Sequence, residues 1–400
     1  MSTTLDVDAE RAATPGCATV VHLNSAGAAL PTAATLDTVV THLEFEAAAG
    51  GYEAAAAVAD RIAGVAASAA RLLGARPDEV ALTGSDTEGW TKALWGLALG
   101  GGLPAGGRIL VDRQSYDSHY LGLLQVGEVY GTTVDVVPAA ADGTIDLEAL
   151  ATELAVGDVT LVSATHVGTH RGLVNPVAEV GARCRDAGTL LFLDACQSIG
   201  QLPVDVGLIG CAVATGTGRK WLRGPRGTGL LYVSSDLVGS LRPPGLDGAS
   251  AHWDDADHYG LRPGVARFMP FEAPVALQLG LGTAVDHALA LGIDAIAGQV
   301  GRIAAHLRGQ LDVVDGVSVH DGGTRRSGIV TFTVEGVTAA RVKAAAAAAG
   351  VNVSVTGAAA ARLDMGGDRP ESVVRASPHY VTTEHECDLL VEVVAGLGPD

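Results

Sequence analysis

Only three lysines occur in the chain, Lys92, Lys220 and Lys343, so an amine nucleophile has few places to come from. Lys343 falls in an Ala-rich helical stretch, and Lys92 lies one turn into the helix expected after TGSDTEG; a solvated surface charge is the ordinary outcome for both. Lys220 stands apart. The segment ATGTGRKWLRGPRGTG carries it between an apolar strand and a Gly-rich turn returning to the strand GLLYV, a loop able to bring an amine to a strand-end crevice. Taken alone, Gly-Arg-Lys-Trp is equally compatible with a solvated basic loop. Arg219 sets a second cation beside the amine, which disfavours the ammonium form and favours the neutral nucleophile that a Schiff base needs. Upstream, LLFLDACQ ends a continuous apolar run at Asp194, where a carboxylate requires a cation opposite it.

A pyridinium nitrogen is such a cation. Asp194, Gln197 and Lys220, in that order, resemble the class V branch of pyridoxal-5'-phosphate (PLP) enzymes, the aminotransferase and cysteine desulfurase-like group of fold type I. The resemblance runs from LNSAGAALP to RASPHYVTTE, nearly the whole chain. It implies that Lys220 forms the Schiff base with the cofactor and shuttles the Cα proton, that Asp194 pairs with the ring nitrogen, and that Gln197 hydrogen-bonds the phenolate oxygen. In TGSDTEG it implies that the Asp86 and Thr87 amides and the Thr87 hydroxyl hold the phosphate at a helix N-terminus, with Thr217 and Arg219 adding contacts. Arg219 stands where many relatives carry His. Tyr116 in DRQSYDSH takes the position of a ring stacked on the pyridine, against a half-buried core role. Thr169 in HVGTHRGLVNP takes the place of an Asn near the cofactor oxygen, and His166 and His170 read as loop histidines. Arg375 in VVRASPH matches the arginine that grips the substrate α-carboxylate, a use suited to a planar bidentate fork.

Desulfurases of this group carry a cysteine on a loop shortly before that arginine, because a thiolate must accept the sulfur. Here VNVSVTGAAAARLDMGGDRPESVV has none; Cys387 follows Arg375, and Cys196 in DACQ reads as a small buried hydrophobe. The resemblance therefore implies β-elimination, which needs no such thiol. The finer pattern of EFEAAAGGY, THRGLVNP, GRKWLRGPRGTG, ARFMPFE and RASPH is most similar to the C–S lyases of ergothioneine biosynthesis, which act on hercynylcysteine sulfoxide and would release pyruvate, ammonia and a sulfur product. Amino-acid epimerases and aminotransferases of class V are the alternative. Tyr52 is a substrate-pocket candidate, and Arg267 and Glu272 are pocket or interface candidates, each with a structural role at least as ordinary. Pro274 departs from the family near a threonine that reaches the neighbouring subunit in many relatives, within a homodimer the resemblance implies.

These residues need a scaffold. Short apolar runs, RILVD (108–112), TTVDVVP (132–138), VTLVSAT (159–165), TLLFLDAC (189–196) and TGLLYV (228–233), are separated by helical segments or turns, as buried, mostly parallel strands should be. They predict an α/β fold: a large doubly wound, mostly parallel-sheet domain over 20–265, a helical connection over 266–300 and a smaller α+β domain over 301–400, with 1–19 packing near the last. A helix is expected from Tyr52 to about Gly74 and another from Glu272 to about Leu311, and Thr383-Glu384-His385-Glu386 reads as a capping box.

At 400 residues and 48% hydrophobic the chain can bury a large core, and a formal charge of -19 argues against a nucleic-acid or anionic-membrane surface. No apolar run reaches a membrane-spanning length, and the acidic N-terminus lacks the layout of a secretory signal. Five cysteines with no CxxC spacing read as reduced thiols in a cytoplasm. A small amino-acid substrate and no metal are expected.

Overall fold

The computed structural model describes residues 5–367 and 369–398. Its largest sheet has seven strands: β1 (Val80–Thr83), β2 (Arg108–Val111), β3 (Thr133–Val136), β4 (Val159–Thr165), β5 (Leu190–Asp194), β6 (Val213–Thr217) and β7 (Gly229–Val233), in the spatial order β1-β7-β6-β5-β4-β2-β3. Neighbours from β6 through β3 are parallel, whereas β7 runs antiparallel to both β6 and β1. The central strands β4, β5 and β6 are almost wholly buried, the expected fate of continuous apolar runs sandwiched between helices. β3 differs from the sequence expectation of a buried strand. It is the sheet edge, with Thr133 and Val136 exposed and the two residues between them half-buried.

The chain leaves β2 toward the β3 edge but proceeds from β4 toward β5 and β6 on the other side, so the winding direction reverses between β2 and β4. A crevice opens at the carboxyl ends of strands at such a point. Two helices present their N-terminal ends there. In α1 (Asp86–Leu99), Ser85 caps the first turn by accepting from Glu88 N at 3.1 Å. In α2 (Asp117–Tyr130), Tyr116 holds the N-cap position without a side-chain cap. Trp90 of α1 is fully buried against Phe192 of β5, edge to face at 5.8 Å, which fixes the helix on the sheet.

A second, four-stranded antiparallel sheet contains β8 (Val317–Val319), β9 (Val330–Val334), β10 (Ser354–Gly357) and β11 (Ser372–Ala376), in the order β8-β9-β11-β10. Its own apolar core includes Ile303, Leu307, Phe332, Val342 and Leu390. The final helix, Glu384–Ala395, carries the expected capping box: Thr383 N donates to Glu386 Oε2 at 2.8 Å and Glu386 N to Thr383 Oγ1 at 3.2 Å. Glu386 also pairs with Arg11 at 2.7 Å, tying the N-terminal segment to this end of the molecule.

Two helices expected as single pieces are broken. Tyr52 falls in Gly51–Ala57, and a second helix, Ala59–Leu73, follows after Val58. Val275–Leu291 and Ile293–Asp312 meet at Gly292, whose φ of 85° only glycine adopts freely, with a bend of 84°. No single helix among the described residues is long and apolar enough to cross a membrane. An exposed hairpin of Ala251–Asp255 and His258–Leu261 had no clear signal in the sequence reading.

Candidate active site

One cavity gathers most of the singled-out residues: Asp86, Tyr116, Thr169, Asp194, Gln197 and Lys220 line it, together with Gln114, Thr165, Val167 and Cys196. Asp194 ends β5, and Lys220 lies just beyond β6, so two neighbouring strands deliver carboxylate and amine to the same side of the sheet. The loop bearing Lys220 is held rigidly. Arg223 N donates to Lys220 O at 2.9 Å and Gly224 N to Gly218 O at 2.8 Å, closing a turn in which Arg223 takes a φ of 62°. That left-handed backbone is unusual for a non-glycine residue. It is sustained by the buried Arg223 guanidinium, which donates to Leu30 O and to the hydroxyls of Tyr380 and Thr14.

Lys220 Nζ lies 3.1 Å from Cys196 Sγ. Cys196 is thus buried, as expected, but it also faces the cavity; burial, reinforced by Asp86, pushes its thiol far above the ordinary range. Asp194 Oδ1 accepts from Cys196 N at 2.8 Å, while Oδ2 lies 3.3 Å from His119 Nδ1. His119, one turn into α2, continues through Nε2 to Asp86 Oδ2 at 3.0 Å. Burial alone would lower the His119 pKa, yet the flanking carboxylates of Asp194 and Asp86 raise it to about 10. For Asp86, burial raises and His119 lowers, and the net direction is downward.

The phosphate-loop expectation divides in two. The Asp86 and Thr87 amides belong to the first turn of α1 and have no intrahelical acceptor by geometry, which leaves them available to an anion. The Asp86 carboxylate, however, turns inward to His119, and the Thr87 hydroxyl lies 3.1 Å from Ser118 Oγ. Thr217 Oγ1 donates to Thr228 O at 3.2 Å and the Arg219 guanidinium to Gly27 O. Gln197 is engaged as well: Trp221 Nε1 donates to its Oε1 at 2.9 Å, and its Nε2 donates to Ala26 O at 3.1 Å.

Arg375 reaches the crevice from β11 of the second sheet. It is buried, and Nη1 donates to Thr169 Oγ1 and, at 3.3 Å, to Thr169 O. Burial and the nearby Arg219, opposed by Tyr116, pull its pKa down to about 10, and its Nε is buried without a partner. His166 and His170 are buried; burial lowers them to about 4 and about 3, with Arg325 adding to the first effect and Arg171, Arg369 and Arg375 to the second. His170 Nε2 lies 3.0 Å from Asp364. Asp112, just past β2, accepts from the amides of Gln114 and Thr165, each at 2.7 Å, so it shapes the cavity wall. Burial raises its pKa to about 6.

Other singled-out residues sit elsewhere in the chain. Tyr52 is 75% exposed and lines a separate surface groove with Phe271, Glu272 and Pro274. Arg267 is buried and donates to Val238 O at 2.8 Å and Leu241 O at 3.1 Å, a structural clamp. Lys92 is less exposed than the sequence implied, pairing with Glu88 at 2.6 Å and donating to Phe268 O at 3.0 Å. Lys343 is exposed on its helix. Asp112, Gln114 and His119 are not singled out by sequence alone, although DRQSYDSH contains all three and its strand-end position is a usable signal.

The profile of class-V aminotransferases matches residues 21–390. A probable hercynylcysteine sulfoxide lyase of Mycobacterium tuberculosis is 33% identical over 398 residues, covering 97% of this chain and 92% of that protein. A probable cysteine desulfurase of Methanothermobacter thermautotrophicus is 31% identical over 336 residues, 82% of each chain. A solved structure of a C-DES variant with glycine covalently linked to its PLP cofactor superposes with a TM-score of 0.86 at 22% identity, covering 97% of this chain and 99% of that one. With a profile match spanning both sheets and relatives of this extent, the chain belongs to the class-V aminotransferases, a PLP-dependent family of the fold type I architecture.

Proposed function

We propose that this protein is a PLP-dependent C–S lyase that performs β-elimination on a cysteine S-conjugate, with hercynylcysteine sulfoxide as the substrate. The observation that carries the reading is that, among the described residues, no accessible thiol lies beside Lys220 to accept sulfur. No cysteine lies between Val351 and Arg375, and the thiol of the one cysteine beside Lys220, Cys196, is pushed well up by burial. Cys184, Cys211 and Cys387 are buried and pushed up to about 12, and the half-buried Cys17, also raised by burial, lines a separate cleft with Arg11 and His379. A persulfide-forming enzyme needs an accessible thiolate. The relative named for the sulfoxide, matched over 97% of the chain, supports the substrate.

The cavity suits the cofactor chemically, since the Lys220 amine and the Asp194 carboxylate meet there close to the first turn of α1 and beside the buried, unpartnered Gln114 oxygen. Lys220 would hold the aldehyde carbon, Asp194 the ring nitrogen, Gln197 the phenolate oxygen, Tyr116 a ring face, and the amides of Asp86 and Thr87, the Thr87 hydroxyl, Thr217 and Arg219 the phosphate, with Thr169 near the cofactor oxygen. When bound, PLP supplies the sink for the electron pair left on Cα. Arg375 orients the substrate by its α-carboxylate, and Lys220 takes the Cα proton. The Cβ–S bond then breaks; with one water consumed, the products are a sulfenate, ammonia and pyruvate. The five cysteines, all unpaired, support a reducing cytoplasm as its place of action.

Purified, PLP-loaded protein given hercynylcysteine sulfoxide and a panel of plain cysteine S-conjugates should release pyruvate from the sulfoxide in preference. Sulfide from L-cysteine with no pyruvate from any conjugate would overturn the reading in favour of desulfuration. Binding without either product would point to epimerase or aminotransferase chemistry.

A further inference from the structure

The proposed lyase chemistry uses the buried row Asp86–His119–Asp194 only through the cofactor contacts of its two ends. His119 sits between two carboxylates, one on each ring nitrogen, at 3.0 Å from Asp86 and 3.3 Å from Asp194. A neutral imidazole carries a single N–H and can donate to only one of them, so with both carboxylates ionised the arrangement is satisfied by the imidazolium. The ring is locked in place by Trp90, stacked on it at a centroid distance of 4.1 Å and an interplanar angle of 14°. All three residues are buried, so the charges are poorly screened by water.

We infer that His119 and Asp86 are positioning residues for Asp194: together they orient its carboxylate and balance its charge, so that it presents one oxygen to the cofactor's ring nitrogen. The inference rests on the proposed pairing of Asp194 with that nitrogen. Two carboxylates and one imidazolium carry a net charge of −1, and a protonated ring nitrogen brings the buried group to neutrality. Asp86 is essential to the balance. Without it, burial would favour neutral His119, and the imidazole could then accept instead of donate at Nδ1. The groups facing this row are Lys220 and Cys196 across the cavity and Asp112 beside Asp194. The placement also accounts for an acidic residue in a phosphate loop: its backbone faces the anion site while its carboxylate points inward to a cation.

The test compares Asp86→Asn, His119→Asn, the double variant and Asp194→Asn. For each, the PLP dissociation constant is measured by dialysis and the absorption of the bound cofactor is followed from pH 6 to 9. His119→Asn is expected to weaken PLP binding by about tenfold or more, the scale of a hydrogen bond to a charged group, and to displace the pH dependence of the absorption band. Asp86→Asn should do the same in smaller measure, and the double variant should be no worse than His119→Asn alone. Histidine variants with the wild-type constant and spectrum, alongside a perturbed Asp194→Asn, would overturn this inference and leave the Asp194 pairing standing. An unperturbed Asp194→Asn would sink the pairing itself. Should His119→Asn not fold, nitrogen NMR of labelled histidine in the intact wild-type protein decides: both ring nitrogens of His119 protonated at pH 8 is the expected result, and a singly protonated ring overturns it. A stoichiometric divalent metal in the purified protein, removable by chelation with a change in the spectrum, would overturn it also.

Discussion

The role proposed for Arg375 rests on the surroundings of a single side chain. Unlike a solvated surface arginine, this one is buried at the junction of the two sheets, with its Nε unpartnered and one Nη on Thr169. A buried guanidinium with donors to spare is poised for a carboxylate, and its planar fork fits two oxygens at once. Lysine at this position keeps the charge but loses the fork. Arg375→Lys is therefore expected to lower kcat/KM for the amino-acid substrate by about 10- to 100-fold while leaving PLP retention near wild type, as read from steady-state kinetics and cofactor absorbance. Equal losses in both would remove the assigned role. Lys220 and Asp194 were legible in the sequence because one is scarce and the other ends an apolar run. His119 was not: in DSHYL it is one more helical residue, and what distinguishes it, two carboxylates contributed by α1 and β5, exists only after the chain has folded.

At the scale of elements, the Lys220 loop depends on a close backbone approach. Gly200 has a φ of 95°, and a Cβ there would lie 2.5 Å from the carbonyl carbon of Trp221 and 2.6 Å from Leu222 N. Gly101 has a similar φ of 82° but nothing within 4 Å of an added Cβ. The pair separates two effects of substitution. Gly101→Ala should show backbone strain alone, about 1–2 kcal/mol in thermal unfolding. Gly200→Ala should lose more, and it should also displace the turn that carries Lys220, weakening the absorption of bound PLP. Equal destabilisation with unchanged absorption in both would show that the loop does not rely on this contact. The central strands were readable because burial on both faces writes a continuous apolar run. The edge status of β3 and the kink at Gly292 were not, since pairing partners and helix crossings are tertiary choices that local periodicity leaves open.

At the scale of the whole molecule, an apolar face is left uncovered by the described residues. Leu36, Val40 and Leu43 recur at helical spacing along Ala33–Ala49, all substantially exposed, and Leu43 borders the groove formed by Tyr52 and Phe271, whose rings lie 6.4 Å apart. Contiguous exposed hydrophobes of this kind mark an interface. A second copy of the chain is the expected occupant, which would account for the position of Tyr52 and Glu272 away from the cavity of their own chain. Association brings together two bodies of formal charge -19, so their repulsion opposes the apolar burial and salt screens the repulsion. Sedimentation should therefore give about twice the 40.3 kDa chain mass, with a dimer that tightens as ionic strength rises. Leu43→Glu combined with Tyr52→Asp places new charge in the face and should shift the protein to monomer, whereas Trp253→Ser, on the separate exposed hairpin, provides the contrast. A wild-type protein that sediments at the single-chain mass at micromolar concentration would rule out a second copy as the partner of this face. A dimer indifferent to the double substitution would place the interface elsewhere.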